Sequence, residues 1–295
     1  MAANPDVTIE FIDAPSSEYN NKVTVMLAGG DSEPDVIFVK DTENQVSMKE
    51  KGQILNLDEY IKKDAIDLGM YQGVAEQLQM DGSNYTLMSE DYSFMKPAYE
   101  QAVRMQDEGI MQSYANLKTG SIHYISVFEQ QQCAMLPMGS WFIGTLIQDK
   151  EAGKFDFNWG VTTIPHPEGV EAGATVGSTT PVAINAKSDD PDLAWEFVKF
   201  ATGEEGAMAL ADNGIFPAAS TDAINEKLAA IPGFPEDGTD ALNITSWVLD
   251  RPIDAKMAAV RKVLEEEHDL IMIGEEDIDT GIANMNQRAK EARED

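Results

Sequence analysis

The first forty residues carry a strand pattern, a helix pattern and a second strand pattern. Residues 7–12 alternate apolar and other side chains, as a half-buried β-strand does. Val23 and Leu27 then fit one face of a helix that ends at Gly29, and residues 35–39 form a short apolar run typical of a buried strand. This order predicts a βαβ unit of a parallel sheet, in which ligands bind beyond the carboxyl ends of the strands.

The middle of the chain mixes helix and strand patterns. Residues 94–109 carry apolar side chains at helical spacing and predict an amphipathic helix. A strand is predicted at residues 132–137, followed by a helix at 142–150. Two further strands are predicted at residues 157–164 and 180–184. The sheet content is therefore expected to be mixed.

The last third of the chain is predominantly helical in pattern. Helical spacing recurs at residues 191–203, 205–210, 254–267 and 278–293. Residues 231–240 are rich in proline, glycine and acids and predict a surface loop. The whole pattern predicts an α/β protein.

The length and charge of the chain narrow the possible partners. The chain has 295 residues, 43% of them hydrophobic, which is enough for one large domain or two ordinary lobes. Its 52 acidic and 21 basic side chains leave a formal net charge of −31. Such a charge repels phosphates and anionic lipid headgroups, so nucleic acid is not an expected partner. The charge favours solubility above any specific role.

Cysteine and histidine offer no metal site or nucleophile. Cys133 is the single cysteine and lies in an apolar run, which indicates a small buried side chain. The three histidines lack the spacing of metal ligands, so we predict no metal and no cofactor. No apolar run approaches the roughly 20 residues that span a bilayer. The first residues lack the regions of an export signal, so we expect any such signal to have been removed or never present.

Catalytic patterns are weak in this sequence. Residues 29–31 (GGD) are not followed by the lysine and hydroxyl residue of a phosphate-binding loop. A pair of carboxylates, as in a glycoside hydrolase, remains an alternative, but it rests only on the abundance of acids. We therefore expect a protein that is not an enzyme.

Trp141 is the most informative candidate for ligand contact. It follows Gly139 and Ser140 at a predicted corner before a helix. Sugars present flat CH faces that stack on indole, while their hydroxyls need amide, carboxylate or hydroxyl partners. The alternative is a tryptophan buried in the core at the start of an apolar helix.

Four motifs occur in the order typical of one family. They are residues 25–31 (VMLAGGD) with 34–37 (PDVI), then 134–141 (AMLPMGSW), 159–165 (WGVTTIP) and 192–200 (DLAWEFVKF). The chain thereby resembles the extracellular solute-binding proteins of carbohydrate ABC transporters, which are relatives of maltose-binding protein. The resemblance spans nearly the whole sequence.

This resemblance implies a periplasmic-binding-protein-like α/β fold of two lobes, with mixed sheets flanked by helices. Residues 1–82 would form part of the N-terminal lobe and 83–245 mainly the C-terminal lobe, while helices in 246–295 would pack across both. The implied function is non-catalytic binding of a mono- or oligosaccharide by hinge closure, and its delivery to the permease of a bacterial ABC importer. The protein is expected to act as a monomer outside the cytoplasm, in the periplasm or lipid-anchored at the cell surface.

The resemblance also implies a set of sugar-contact residues. In the family, the tryptophan of the Gly-Ser-Trp motif commonly stacks on a sugar ring, which points to Trp141. The other implied contacts are Gly139, Ser140, Tyr19, Lys40, Asp41, Glu43, Ser178 and Thr179. For the loop residues among them, a role as helix cap or turn residue is the alternative. Trp159 and Trp195 are predicted to be core residues, and Trp247 is left open.

Two segments of the family pattern are missing from this sequence. Relatives carry a strand and helix before the segment that starts at Asn4, and a long middle segment whose place is taken here by residues 82–84. An alternative interpretation is therefore a truncated or engineered scaffold or interaction protein of the same fold, without a complete sugar site.

Overall fold

The computed structural model describes residues 4–15, 17–71, 86–166, 168–169, 173–236, 238, 241, 244, 246–251 and 253–294. Residues 82–84, the predicted joint, lie outside this set. The helices are α1 (Tyr19–Ala28), α2 (Thr42–Glu50), α3 (Asp58–Lys63), α4 (Lys96–Asp107), α5 (Tyr114–Thr119), α6 (Tyr124–Glu129), α7 (Trp141–Glu151), α8 (Pro191–Thr202), α9 (Glu204–Asp212), α10 (Asp222–Ala229), α11 (Met257–Ile273) and α12 (Ile278–Glu294). The strands are β1 (Val36–Phe38), β2 (Ala174–Gly177), β3 (Val182–Ile184) and β4 (Ser246–Leu249).

The chain divides into two compact units, of which the first comprises Met1–Asp67 and Thr179–Gly203. Here β1 pairs antiparallel with β3, with Ile37 opposite Ala183. Ile37 is 1% exposed because α1 and α2 cover it with Val23, Leu27 and Met48. A second cluster around Trp195 packs α8 against α3. The short sheet is thus buried between helices, as expected for a strand with a continuous apolar run.

The predicted strand at residues 7–12 does not form. Residues 7–15 have no regular secondary structure, and Phe11 is 73% exposed. A strand needs a partner for its backbone groups, and none of the described strands pairs with this segment. The predicted parallel βαβ unit is therefore wrong, since the partner that β1 finds is the antiparallel β3.

The second unit comprises Leu68–Ser178 and Glu204–Asp295. Its main core lies along the hairpin of α11 and α12, where Val260 and Met285 are fully buried and α4 contributes Tyr99. Glu267 on α11 is only 2% exposed and is paired with Arg288 of α12. A second part of this unit pairs β2 with β4 in parallel.

The predicted strands at residues 132–137 and 157–164 are absent as well. Both segments are irregular. Some of their apolar side chains are partly buried against α7, whereas Met135 is 85% exposed and Ile164 is 63% exposed. Leu136, Phe157 and Trp159 lie against Phe142 and its neighbours. Their apolar runs therefore reflect contact with a helix and not pairing in a sheet, a distinction that periodicity cannot make.

The two units do not follow the predicted boundaries at residues 82 and 245. Residues 179–203 belong with the first unit because β3 pairs with β1 and α8 packs on the same core. The packing of 246–295 across both lobes stays a prediction. Within the described ranges, no helix is long and apolar enough to cross a bilayer.

Candidate sugar-contact surfaces

Trp141 begins α7 and lies at the protein surface. Its side chain is 55% exposed, whereas the next residue, Phe142, is 5% exposed. The ring of Phe142 meets Tyr124 and Phe128 edge-on, at centroid distances of 5.6 Å and 6.0 Å. Successive residues of a helix point about 100° apart, so the burial of Phe142 turns Trp141 outward. The alternative that Trp141 is a core residue is wrong.

The residues before Trp141 form a tight first turn. Phe142 N–H donates to Gly139 O and Ile143 N–H donates to Ser140 O, each at 3.1 Å. Ser140 is exposed, has helical backbone angles and makes no capping hydrogen bond with its side chain. Its hydroxyl is therefore not committed to the start of the helix, in contrast to the alternative of a cap residue.

The other predicted residues meet at the carboxyl end of β1 in the first unit. Tyr19, the first residue of α1, donates from its hydroxyl to Phe38 O at 2.7 Å. Asp41 caps α2, since its Oδ1 accepts from Asn44 N–H at 2.9 Å. Asn20 then donates to Asp41 Oδ2 at 3.0 Å. These contacts bring the starts of α1 and α2 together at one edge.

Asn20 was missed by the sequence analysis. Its position beside Tyr19 was the available signal, but a polar residue in the first turn of a helix has too many ordinary roles to stand out. Burial raises the pKa of the Tyr19 phenol. Tyr19 is therefore a neutral hydrogen-bonding group at ordinary pH.

Lys40, Glu43 and Thr179 lie at the same edge. Lys40 is exposed, and Glu43 is half-buried in the first turn of α2. Val39 N–H donates to Pro181 O at 2.7 Å, which continues the antiparallel pairing of β1 and β3 by one residue toward Thr179. The hydroxyl oxygen of Thr179 is buried and has no hydrogen-bond partner in the described part of the protein.

Ser178 belongs to the second compact unit. It is exposed and follows β2 in the second unit, while Thr179 belongs to the first. The unit division therefore falls between the two residues of this predicted pair. The second unit thus holds Gly139, Ser140, Trp141 and Ser178.

The other three tryptophans, Trp159, Trp195 and Trp247, pack against neighbouring residues of the protein. Trp195 is 5% exposed and donates from its indole N–H to Asp64 Oδ2 at 2.8 Å, so its predicted core role is confirmed. The Lys199 ammonium, bonded to the same carboxylate, holds the pKa of Asp64 below its usual value. Trp159 packs on the Phe142 cluster, and Trp247, on β4, packs beside Gly177.

Cys133 and the neighbouring carboxyl groups of Glu129 and Asp149 have shifted pKa values. Burial raises the pKa of the Cys133 thiol, which disfavours the reactive thiolate. Burial and Asp149 raise the pKa of Glu129, while a 2.6 Å ion pair with Lys154 lowers that of Asp149. Among the described residues, no group of three or more metal-ligating side chains is gathered.

Comparison with known proteins identifies the family to which this chain is related. The chain matches the family of bacterial extracellular solute-binding proteins over residues 1–77 and 75–208. It is similar to a sugar transporter from Rhizobium etli, solved in an open conformation, with 29% identity and a TM-score of 0.82 over 98% of this chain and 93% of that chain. No curated protein sequence matches it.

Two more distant structures share the fold. An ABC substrate-binding protein from Listeria monocytogenes, in complex with cycloalternan, is 17% identical with a TM-score of 0.65 over 99% and 93% of the two chains. A maltose/maltodextrin-binding domain from Bdellovibrio bacteriovorus, bound to maltotriose, is 14% identical with a TM-score of 0.64 over 100% and 94%.

The comparisons confirm the predicted periplasmic-binding-protein-like α/β fold and the predicted resemblance. The members of the matched family are described as extracellular solute-binding proteins. Its match covers the edge at β1 and the Trp141 corner alike, since both lie within residues 1–208. This chain belongs to the bacterial extracellular solute-binding proteins.

Proposed function

We propose that this protein binds a mono- or oligosaccharide without catalysis and delivers it to the permease of an ABC importer. The observation that carries the proposal is the exposed indole of Trp141 in a member of a solute-binding family. Similar structures include a sugar transporter and binding proteins in complex with cycloalternan and with maltotriose. An α-linked glucose oligosaccharide is therefore the first ligand class to test.

Trp141 supplies the apolar part of the proposed site. An indole face offers a flat surface against which the CH groups of a pyranose ring can pack. A large aromatic side chain that is 55% exposed leaves apolar area in water, and a stacked sugar would remove it. Ser140, exposed and uncommitted, can hydrogen-bond a hydroxyl of the same ring.

The edge at β1 supplies the polar part. Sugar hydroxyls need donors and acceptors, because a buried unpaired polar group costs roughly 1–3 kcal/mol. Asp41, Lys40 and Glu43 provide charged partners for sugar hydroxyls there. The Thr179 hydroxyl is a neutral partner that makes no hydrogen bond within the described part of the protein. Tyr19 contributes the phenol oxygen, which can accept a hydrogen bond from the sugar while its own O–H donates to Phe38 O. Ser178 and Gly139 complete the proposed contacts.

Delivery requires a signal that the ligand is bound. In this proposal the sugar bridges two lobes and stabilises a closed form, and the permease recognises that form. The protein acts outside the cytoplasm as a monomer, free in the periplasm or held by a lipid anchor. The ligand shifts the equilibrium only by its preference for the closed form, so the signal depends on this difference in affinity and not on tight binding alone.

A calorimetric titration with maltotriose, cycloalternan and a panel of monosaccharides tests the proposal. We expect one sugar class to give heat and to raise the melting temperature as its concentration passes Kd. Trp141→Ala should weaken that sugar by about 30-fold, which corresponds to about 2 kcal/mol. The matched control is Phe94→Ala, since Phe94 is another aromatic that is 49% exposed.

The control separates loss of a ligand contact from loss of exposed apolar area in general. Phe94→Ala should leave the affinity unchanged. If neither heat nor a melting shift appears with any sugar of the panel, sugar binding by this chain is rejected. A scaffold or interaction role for the same fold would then be the remaining interpretation.

A further inference from the structure

The indole of Trp141 rests on the backbone of Gly139. A Cβ atom added to Gly139 would lie 2.0 Å from Cζ3 of the indole, 2.3 Å from Cη2 and 2.5 Å from Cε3. The two flanking carbons are nearly as close as Cζ3, which places the added atom over the face of the ring and not beside its edge. The main chain at residue 139 therefore lies against one face of the six-membered ring of the indole.

We infer that Gly139 is a positioning residue for sugar binding, because its missing side chain lets the Trp141 indole lie flat on the main chain and present its opposite face. The inference deepens the proposed function and rests on it for the binding arm of its test. It also implies that the platform is one-sided, so it stacks the apolar face of one pyranose ring and does not enclose a ring between two faces.

The backbone at residue 139 does not itself demand glycine. Its φ lies outside the positive range that disfavours other residues, unlike that of Gly153 at the other end of the same helix, where φ is +74°. A Cβ at Gly153 would meet nothing within 4 Å. Gly153 is therefore required by conformation and Gly139 by the indole, which makes the two glycines a matched pair.

The helix cannot easily move to relieve a side chain at residue 139. Phe142 is held in its aromatic cluster, and the first turn ties Phe142 N–H to Gly139 O. Gly144 approaches the backbone of Gly214 so closely that an added Cβ would lie 2.4 Å from Gly214 O. With α7 fixed at these points, a Cβ at residue 139 must displace the indole itself.

Gly139→Ala tests the inference with two readouts. The first is acrylamide quenching of Trp141 fluorescence, taken as the difference between each protein and its Trp141→Phe counterpart. The second is the calorimetric affinity for the sugar that binds the wild type. We expect the Trp141 quenching constant to rise and the affinity to fall by about tenfold, with a melting temperature within about 2 °C of wild type.

Gly153→Ala is the control for a glycine replacement in the same helix. Its added Cβ strains a left-handed backbone, so it should lower the melting temperature while affinity and Trp141 quenching stay unchanged. Gly139→Ala in a Trp141→Ala background should have no further effect on affinity, because the group that it displaces is gone.

Three results would overturn the inference. They are unchanged quenching of Trp141 in Gly139→Ala, unchanged affinity in that variant, and an equal loss of affinity in the Trp141→Ala background. If the wild type binds none of the sugars, the proposed function fails, while the quenching arm still decides whether Gly139 positions the indole.

Discussion

The two candidate surfaces differ in how far the protein itself already uses their side chains. At the start of α7, the Trp141 indole is 55% exposed and Ser140 has no capping bond. At the carboxyl end of β1, Tyr19 is bonded to Phe38 O and Asp41 to both Asn44 N–H and Asn20. The side chains of the first surface make few contacts within the protein, whereas those of the second surface also make hydrogen bonds that stabilise the fold.

This difference teaches how a contact residue and a cap residue can be told apart. Asp41 satisfies an otherwise unpaired N–H at the start of α2, so its carboxylate has a structural reason to be present whether or not sugar binds. An exposed Trp141 has no such reason, since exposure of a large aromatic gains nothing for folding. Substitution of a predicted contact should therefore lower both stability and affinity at β1, but mainly affinity at the Trp141 surface.

The largest effect is expected from Phe142→Ala, the inward neighbour of Trp141. Removing a buried phenylalanine ring leaves a cavity in the aromatic cluster and should lower the free energy of unfolding by about 3–5 kcal/mol. Trp141→Ala should change it by less than about 0.5 kcal/mol, because the side chain is mostly in water. Denaturant unfolding of both variants measures the contrast. Equal losses in the two variants would contradict the assignment of Trp141 as a surface residue.

Asp41→Ala comes next in expected size. Loss of the cap of α2 and of the Asn20 bond should lower the free energy of unfolding by about 1–2 kcal/mol. Asp190 provides the matched control, since it caps α8 through Leu193 N–H in the same unit but lies outside the candidate site. Asp190→Ala should cost a similar stability and spare sugar affinity, while Asp41→Ala should reduce both. If the affinity of Asp41→Ala for sugar is unchanged, Asp41 is a helix cap and not a ligand contact.

Tyr19→Phe should have the smallest effect. It removes one hydrogen bond, to Phe38 O, and keeps the ring packed on the core of the first unit. We expect the free energy of unfolding to fall by about 0.5–1 kcal/mol, because the freed carbonyl lies near solvent and can take a water. Thermal or denaturant unfolding measures this change in stability. If the affinity for sugar falls and the stability does not change, Tyr19 is a ligand contact with no structural role, as proposed for Trp141.

The predicted helices formed, whereas only two of the predicted strands did, those that became β1 and β3, and the difference has a physical reason. The spacing at residues 94–109 and 142–150 gave α4 and α7 within a few residues, because helical hydrogen bonds close within the segment itself. The strand pattern at residues 7–12 is equally regular, yet no described strand pairs with it. Strand formation depends on a partner that the local pattern does not contain.

The candidate site divides in the same way. Family motifs made Trp141, Asp41 and Tyr19 candidates, but the same residue types serve as core, cap and turn residues. Only the tertiary structure shows that Asn20 donates to Asp41 and that the buried hydroxyl of Thr179 has no hydrogen-bond partner among the described residues.

The sequence by itself determined the family and most of the helices, because motif order and local spacing are properties of the linear chain. The tertiary structure decided which strands pair, that Trp141 faces water while Phe142 and Trp195 are buried, and that Gly139 lies beneath the indole. Each of those outcomes depends on contacts between surfaces, and residue order alone does not specify which surfaces meet.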